Sequence, residues 1–387
     1  MTVASSQAHA LHVLTLTPFY PTAVDDARGC FVSEPLPLLQ QHGIENTVIA
    51  VQSFYNGTVG ANEAAPPAHW VRYLPLPSGL GLSTAGVFLY ANLLSSVRDL
   101  VKRKPVDLIH AHSALPCGHT AALLGRELGI PFVVTVHGLD AFSTNQVRGL
   151  AGKWSKRVSQ WAYRRASNVI CVSEKVRSEV LAGATPVNTS VIYNGADPEV
   201  FSPGAEPGKV ILSVGNLIPI KGHELLLRAI AAVQGKHPDV SWDIIGDGPE
   251  QARLCTLSGE LKISDKVRFL GRRSRSQVAE AMRQCAIFAL PSRYEALGCV
   301  YLEAMAAEKP VIACMGQGID EVIQQGMNGL LVEPDDLAGL TRSLSMLLDD
   351  EQLRRRIGRS GRHTILHGFT LADQTQRLAE LYRECAA

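Results

Sequence analysis

Residues 210–230 read VILSVGNLIPIKGHELLLRAI. The run Val210 to Val214 is the short apolar stretch a buried parallel strand needs, and Leu225, Leu226, Leu227, Ala229 and Ile230 supply helical apolar content after it. The stretch therefore reads as strand, turn and helix. Lys221, followed at once by Gly222, falls just ahead of the helix. A cation there faces the positive end of the helix dipole, which is unfavourable unless an anion is also present. Two readings stay open: Lys221 meets an anionic ligand, or it is a solvated surface lysine.

The same alternation extends in both directions. Upstream lie LHVLTL (11–16), NTVIAV (46–51), VDLIHAH (106–112), PFVVTVHG (131–138), NVICVS (168–173) and TSVIYNG (189–195). From residue 209 onward come KVILSVG (209–215), SWDIIGDG (241–248), KVRFLG (266–271), AIFALPS (286–292), PVIAC (310–314) and GLLVEP (329–334). Strands alternating with helices predict parallel sheets covered on both faces. Between the sets, DPEVFSPGAEPGK (197–209) has five Pro or Gly in thirteen residues and reads as a linker. A chain of 387 residues exceeds the size at which single cores stop growing. The expected fold is α/β, with two doubly wound, Rossmann-like domains at 1–203 and 204–365 and a helix at 366–387 packing back on the first. Such sheets place ligands at the C-terminal ends of their strands, and the cleft between the domains is the default site.

Composition narrows the class. With 46% hydrophobic residues, 19% charged and a net charge of +1, the chain reads as an ordinary soluble globular protein, and nothing points to nucleic acid. Eight cysteines, with no C-x-x-C pair and no metal-ligand spacing, fit a reducing cytoplasm. The start MTVASSQAHA lacks a basic n-region, so no secretory signal is expected. LGLSTAGVFLYANLLSSV (80–97) carries no charge but is interrupted by Ser, Thr, Asn and Gly, and reads as a buried or interfacial helix and not a span.

The chemistry concentrates in PSRYEALGCVYLEAMAAEKPVIA, residues 291–313. Glu295 lies at a strand-to-helix loop; Glu303, eight residues on, lies two turns into a helix expected to begin near Leu297. Carboxylates so placed suit hydroxyl recognition. Gly298 between them lets helix-start N–H groups approach an anion closely.

These segments, together with YP…RGCFVSE (20–34), HAH…PCGHTAALLGRELGIPFVVTVHGLD (110–140), VIYNGADPEVFSP (191–203), IIGDGPE (244–250) and EVIQQGMNGLLVEPDD (321–336), resemble the retaining GT-B glycosyltransferases of family 4. The resemblance covers nearly the whole chain. It implies an acceptor-side first domain and a second domain that holds a nucleoside diphosphate sugar. Carried to matching positions, Glu303 would bond the ribose, Glu295 the donor sugar hydroxyls, and the start of the helix at Leu297, Gly298 and Cys299 the diphosphate. Lys221 would neutralise the leaving diphosphate, and the backbone near Arg272 would border the base. In the first domain, Gly29 would face the diphosphate, His137 the donor sugar and Asp140 the acceptor. Where most of the family carries an arginine five residues before the lysine, this chain has Asn216, which either leaves leaving-group stabilisation weaker or compensated elsewhere, or simply caps the turn. The resemblance implies retention by same-face attack, and the implied chemistry needs neither metal nor cofactor.

Other signals are weaker. IIGDGPEQ suggests a dinucleotide loop but lacks the third glycine. His110, His112 and His119 suggest a metal site without a carboxylate-rich context; packing or cleft lining is the simpler reading. In GKWSKRVSQWAYRRA (152–166), Trp154, Val158 and Trp161 recur at helical spacing among Lys153, Lys156, Arg157, Arg164 and Arg165. That pattern fits a core face backed by a solvated one, or a patch for anionic lipid. The expected protein is thus a glycosyltransferase of the cytoplasm or the inner membrane face, acting on a hydroxyl acceptor such as a lipid-linked glycan. The alternatives are a nucleotide-sugar epimerase of similar architecture and a catalytically silent sugar-nucleotide binding protein. Acceptor choice would be set by loops, mainly 52–80 and 140–155.

Overall fold

The computed structural model describes residues 10–54, 62–74, 81–138, 149–204 and 208–387. Two compact units divide the chain. The first takes in the chain up to Val172, Val176–Ile192 and Thr375–Ala387; the second is Ser173–Lys175 with Tyr193–Gln374.

The first unit is built on seven strands among the described residues: β1 (Leu11–Thr17), β2 (Ile44–Ser53), β3 (Ala68–Tyr73), β4 (Leu108–His112), β5 (Phe132–Val136), β6 (Asn168–Cys171) and β7 (Thr189–Val191). All pairs are parallel, in the order β3-β2-β1-β4-β5-β6-β7. β4 and β5 are buried at every position, as a sheet covered on both faces requires. β3 falls within a stretch expected to be loop. It is an edge strand, partly exposed along its length, so it lacks the apolar run that marks the inner strands.

The second unit's described strands are β8 (Val210–Val214), β9 (Ser241–Ile245), β10 (Val267–Gly271), β11 (Ile287–Ala289), β12 (Val311–Cys314) and β13 (Leu330–Val332). They are again all parallel, in the order β10-β9-β8-β11-β12-β13. Its core joins Ile211, Trp242, Ile244, Ile287 and Ile312 from the sheet to Leu226, Leu227 and Ile230 from the helix His223–Val233 and Leu340, Leu344 and Leu347 from the helix Leu337–Asp349.

The final helix, Leu371–Ala386, places Leu378, Ala379, Leu381 and Tyr382 in the core of the first unit. Burying each large side chain stabilises by about 1.5–3 kcal/mol, which commits this helix to that core. The boundaries differ from those expected. The units part at residues 192/193 and 374/375, not at 203/204 and 365/366, because the first half of the breaker-rich segment is packed into the second unit. Phe201 is fully buried there, with the Arg275 guanidinium 4.8 Å over its ring, and Ala196 bridges Thr370.

The segment at 80–97 belongs to the helix Gly81–Arg103, whose buried face includes Ala85, Leu89, Leu93 and Val97. No helix among the described residues is long and apolar enough to cross a membrane.

Candidate functional site

In the second unit the strand order reverses between β8 and β11, so the loops that leave these strands part to opposite faces and open a crevice at their C-terminal ends. Ser213 ties the two strands, donating to the Ala289 carbonyl at 2.5 Å and accepting from Trp242 Nε1 at 3.0 Å. The loop after β8 carries Asn216 and Lys221; the loop after β11 carries Glu295, Leu297 and Gly298.

Lys221 ends a 3-10 turn, Pro219–Lys221, and Gly222 caps the following helix. Its Nζ donates to Glu295 Oε1 at 2.7 Å, with 20% of the lysine side chain and 9% of the glutamate exposed. The chain itself therefore supplies an anion that the position demands, across 74 residues. Ser292 Oγ also donates to Glu295 Oε1, at 2.9 Å, and the Glu295 N–H donates to Gln317 Oε1 at 3.1 Å. Gln317 carried no motif that sequence reasoning could use.

Gly298 caps the helix Cys299–Ala306 from the left-handed region, φ 89°, and a Cβ there would stand 2.5 Å from the Tyr301 ring. The helix starts at Cys299, two residues past Leu297 and so near the expected place, and Glu303 lies little more than one turn in, not two. Leu297 is buried as a whole residue. Glu303 is 3% exposed and accepts from Arg275 Nη1 at 2.6 Å; Arg275, too, went unread in the sequence.

Asn216 is exposed, and its carbonyl accepts from Ile218 N at 2.9 Å within the turn. Arg272, 55% exposed, donates from Nε to Asp247 at 2.8 Å and holds that carboxyl below its ordinary range. The glycines of IIGDG serve packing: a Cβ on Gly246 or Gly248 would meet the carbonyls of Gly215 or Leu217 at 2.0 and 2.4 Å. The motif is shaped by the loop after β8.

In the first unit the order reverses between β1 and β4. Gly29, in the connection after β1, has φ 66° and lies against the Phe19–Tyr20 backbone, where a Cβ would stand 2.4 Å from the Phe19 carbonyl carbon. His137, just past β5, packs against Phe31 and Phe19 with ring centroids at 4.5 and 6.0 Å. Burial pushes its pKa down to about 3, so it is a neutral imidazole at pH 7. His112 meets it at 2.9 Å. His119 lies elsewhere, on the helix His119–Leu128 against Trp161. No group of three His, Cys, Asp or Glu among the described residues could hold a metal ion. Asp140 lies outside the described residues.

The basic segment forms the helix Gly149–Tyr163. Its inward face is Gly152, Ser155, Ser159, Ala162 and Tyr163, so Trp154 is not core: it is 58% exposed and Leu150 84%, while Trp161 is half-buried against His119. Lys153, Lys156, Arg157, Arg164 and Arg165 are all exposed around them.

Comparison with known proteins decides the family. The family described as "Glycosyltransferase Family 4" matches residues 36–200, and "Glycosyl transferases group 1" matches residues 198–364. A glycosyltransferase of Methanocaldococcus jannaschii, named as uncharacterized, is 32% identical over 278 residues, 72% of this chain and 75% of that protein. The chain belongs to the family 4 glycosyltransferases. A D-inositol 3-phosphate glycosyltransferase of Corynebacterium glutamicum is 29% identical over 353 residues, 84% of this chain and 82% of its own. Among solved structures, sucrose-phosphate synthase of Thermosynechococcus elongatus aligns with TM-score 0.77 at 20% identity, over 96% of this chain and 98% of that one. HepE of Anabaena, in a complex with UDP and glucose, aligns at 0.76 and 21%, over 97% of this chain and all of its own. The glycosyltransferase thus has the GT-B fold, and the epimerase alternative is set aside.

Proposed function

We propose that this glycosyltransferase moves a sugar from a nucleoside diphosphate sugar to a hydroxyl acceptor, with the diphosphate bound at the switch point of the second unit. The observation that carries the reading is the Lys221–Glu295 pair in the loops on either side of that point, followed by the Gly298-capped start of the helix Cys299–Ala306. An ammonium has three N–H donors, and Glu295 takes one, so Lys221 can also serve the diphosphate. The amides of Gly298 and Cys299 add a helix start suited to anions.

In this reading Glu303, set by Arg275, receives the ribose, Glu295 the donor sugar hydroxyls, and the backbone beside Arg272 borders the base. His137, neutral, offers a hydrogen bond to the donor sugar without bringing charge, and Asp140 serves the acceptor. Charge developing on the leaving diphosphate is met by a side chain and fixed amides, so the step runs without a divalent ion or cofactor. Transfer retains configuration by same-face attack, the leaving phosphate oxygen taking the acceptor's proton. HepE was solved with UDP and with UDP-glucose, which makes UDP the first nucleotide to try. The exposed Leu150 and Trp154 among five cations support contact with the anionic inner face of the cell membrane, where a lipid-linked acceptor for glycan synthesis would lie.

Thermal denaturation with a panel of nucleoside diphosphates tests the reading. A nucleotide at 100 times its Kd adds about 2.7 kcal/mol, and Lys221→Ala should lose most of that gain. Absence of stabilisation by every nucleotide refutes it. Stabilisation without turnover on any acceptor leaves the silent binding protein.

A further inference from the structure

His110 and His112 are two apart on β4 and so share one face of the sheet. Their rings lie 4.2 Å apart. His110 is clamped at both nitrogens, Nε2 to Thr135 Oγ1 at 2.6 Å and Nδ1 to Tyr382 OH at 2.6 Å. The final helix of the chain thereby fixes the base of the stack. His112 lies on it and extends the row to His137, with Nδ1 to His137 Nε2 at 2.9 Å and ring planes 14° apart. Phe31 and Phe19 close the other sides of His137.

Burial depresses all three imidazoles, so they are neutral at pH 7. A bond between two neutral imidazoles contains one proton, with a donor nitrogen on one ring and a lone pair on the other. The tautomers of His112 and His137 are therefore coupled. When His112 donates, a neutral His137 carries its proton on Nδ1; when His112 accepts, Nδ1 keeps a lone pair.

We infer that His112 is a positioning residue for the transfer reaction: it fixes the ring plane and the tautomer of His137, and so whether His137 Nδ1 donates to or accepts from a sugar hydroxyl. His110, Thr135 and Tyr382 hold His112 in place for that task. The inference rests on the reading of His137 as a donor-sugar contact.

Three variants separate the possibilities. His112→Phe keeps the ring stack and removes the nitrogen; His112→Asn keeps a polar atom near the Nδ1 position and removes the ring; His137→Ala tests the underlying reading. Proteins labelled with ¹⁵N-histidine report the His137 tautomer by two-bond correlation spectra. His112→Phe should change that tautomer and lower kcat about tenfold or more, while UDP affinity stays within about twofold, and His112→Asn should recover most of the loss. Unchanged His137 signals and kcat in His112→Phe, with His137→Ala impaired, overturn the positioning role alone. Parent-like turnover of His137→Ala removes the donor-sugar reading and this inference with it.

Discussion

Replacing Lys221 with alanine separates two effects that the structure ties together. The lysine's partner, Glu295, is 9% exposed and, among the described residues, keeps the Ser292 hydroxyl as its side-chain donor once Nζ is gone. Breaking a buried pair by removing one partner costs about 3–5 kcal/mol. Lys221 keeps 20% of its side chain in water, which puts the cost at the low end, about 3 kcal/mol. For a unit of this size that is a fall in Tm of about 6–12 °C. Lys221→Ala combined with Glu295→Gln removes the stranded charge and should return about 2 kcal/mol, a coupling of the size seen for residues in one network. Turnover should behave differently. Loss of one electrostatic contact to a developing charge costs about 10² to 10³ in kcat, and neutralising Glu295 supplies no replacement cation. The assay is kcat at saturating donor beside thermal melts for the parent, both single variants and the double. Near-parental turnover in Lys221→Ala refutes the diphosphate assignment, and equal melts for Lys221→Ala and the double variant refute the stranded-charge argument. Asn216→Ala should cost much less turnover, and Asn216→Arg should tighten diphosphate binding.

Glu303→Ala should weaken donor binding by about 1.5–3 kcal/mol in calorimetry while Glu295→Ala mainly lowers kcat; equal losses of affinity would count against the division between ribose and sugar. Turnover should survive EDTA, and loss restored by Mg²⁺ or Mn²⁺ would end the metal-free step. Stability should depend on pH through His110 and His137, whose folded pKa values of about 3 lie below the ordinary 6.5. The unfolded chain binds the protons that the folded one refuses, so each contributes stability that is present above about pH 6.5 and is lost toward pH 3 at about 1.4 kcal/mol per unit. Chemical denaturation between pH 8 and 5 should show this slope, shallower in His137→Phe; identical slopes would contradict it. Replacing Lys153, Lys156, Arg157, Arg164 and Arg165 with Gln should release the protein from anionic vesicles in flotation, at about 1 kcal/mol per cation, with UDP binding kept; unchanged flotation would mark the helix as a solvated face.

The inner strands could be read from the sequence because a parallel strand covered on both faces has to be a continuous apolar run, and VILSV and FVVTV can be little else. The turn residues were legible for a similar reason. Gly298 and Lys221 have local backbone and dipole requirements that hold wherever the strand–turn–helix is placed. What the sequence could not contain was which loops meet. Strand order put Lys221 beside Glu295, and Arg275 beside Glu303, across 74 and 28 residues. It also brought His112 to His137 from the neighbouring strand, 25 residues on. Edge strand β3 escaped because an edge needs no apolar run, and the outward turn of Trp154 escaped because helical spacing defines a face without saying what covers it. Local sequence determined the elements and their ends, because propensity, capping and burial on both faces act within a few residues. The partners of each charge were decided only by tertiary structure, because a hydrogen bond across the sheet depends on strand order, which no short stretch of chain encodes.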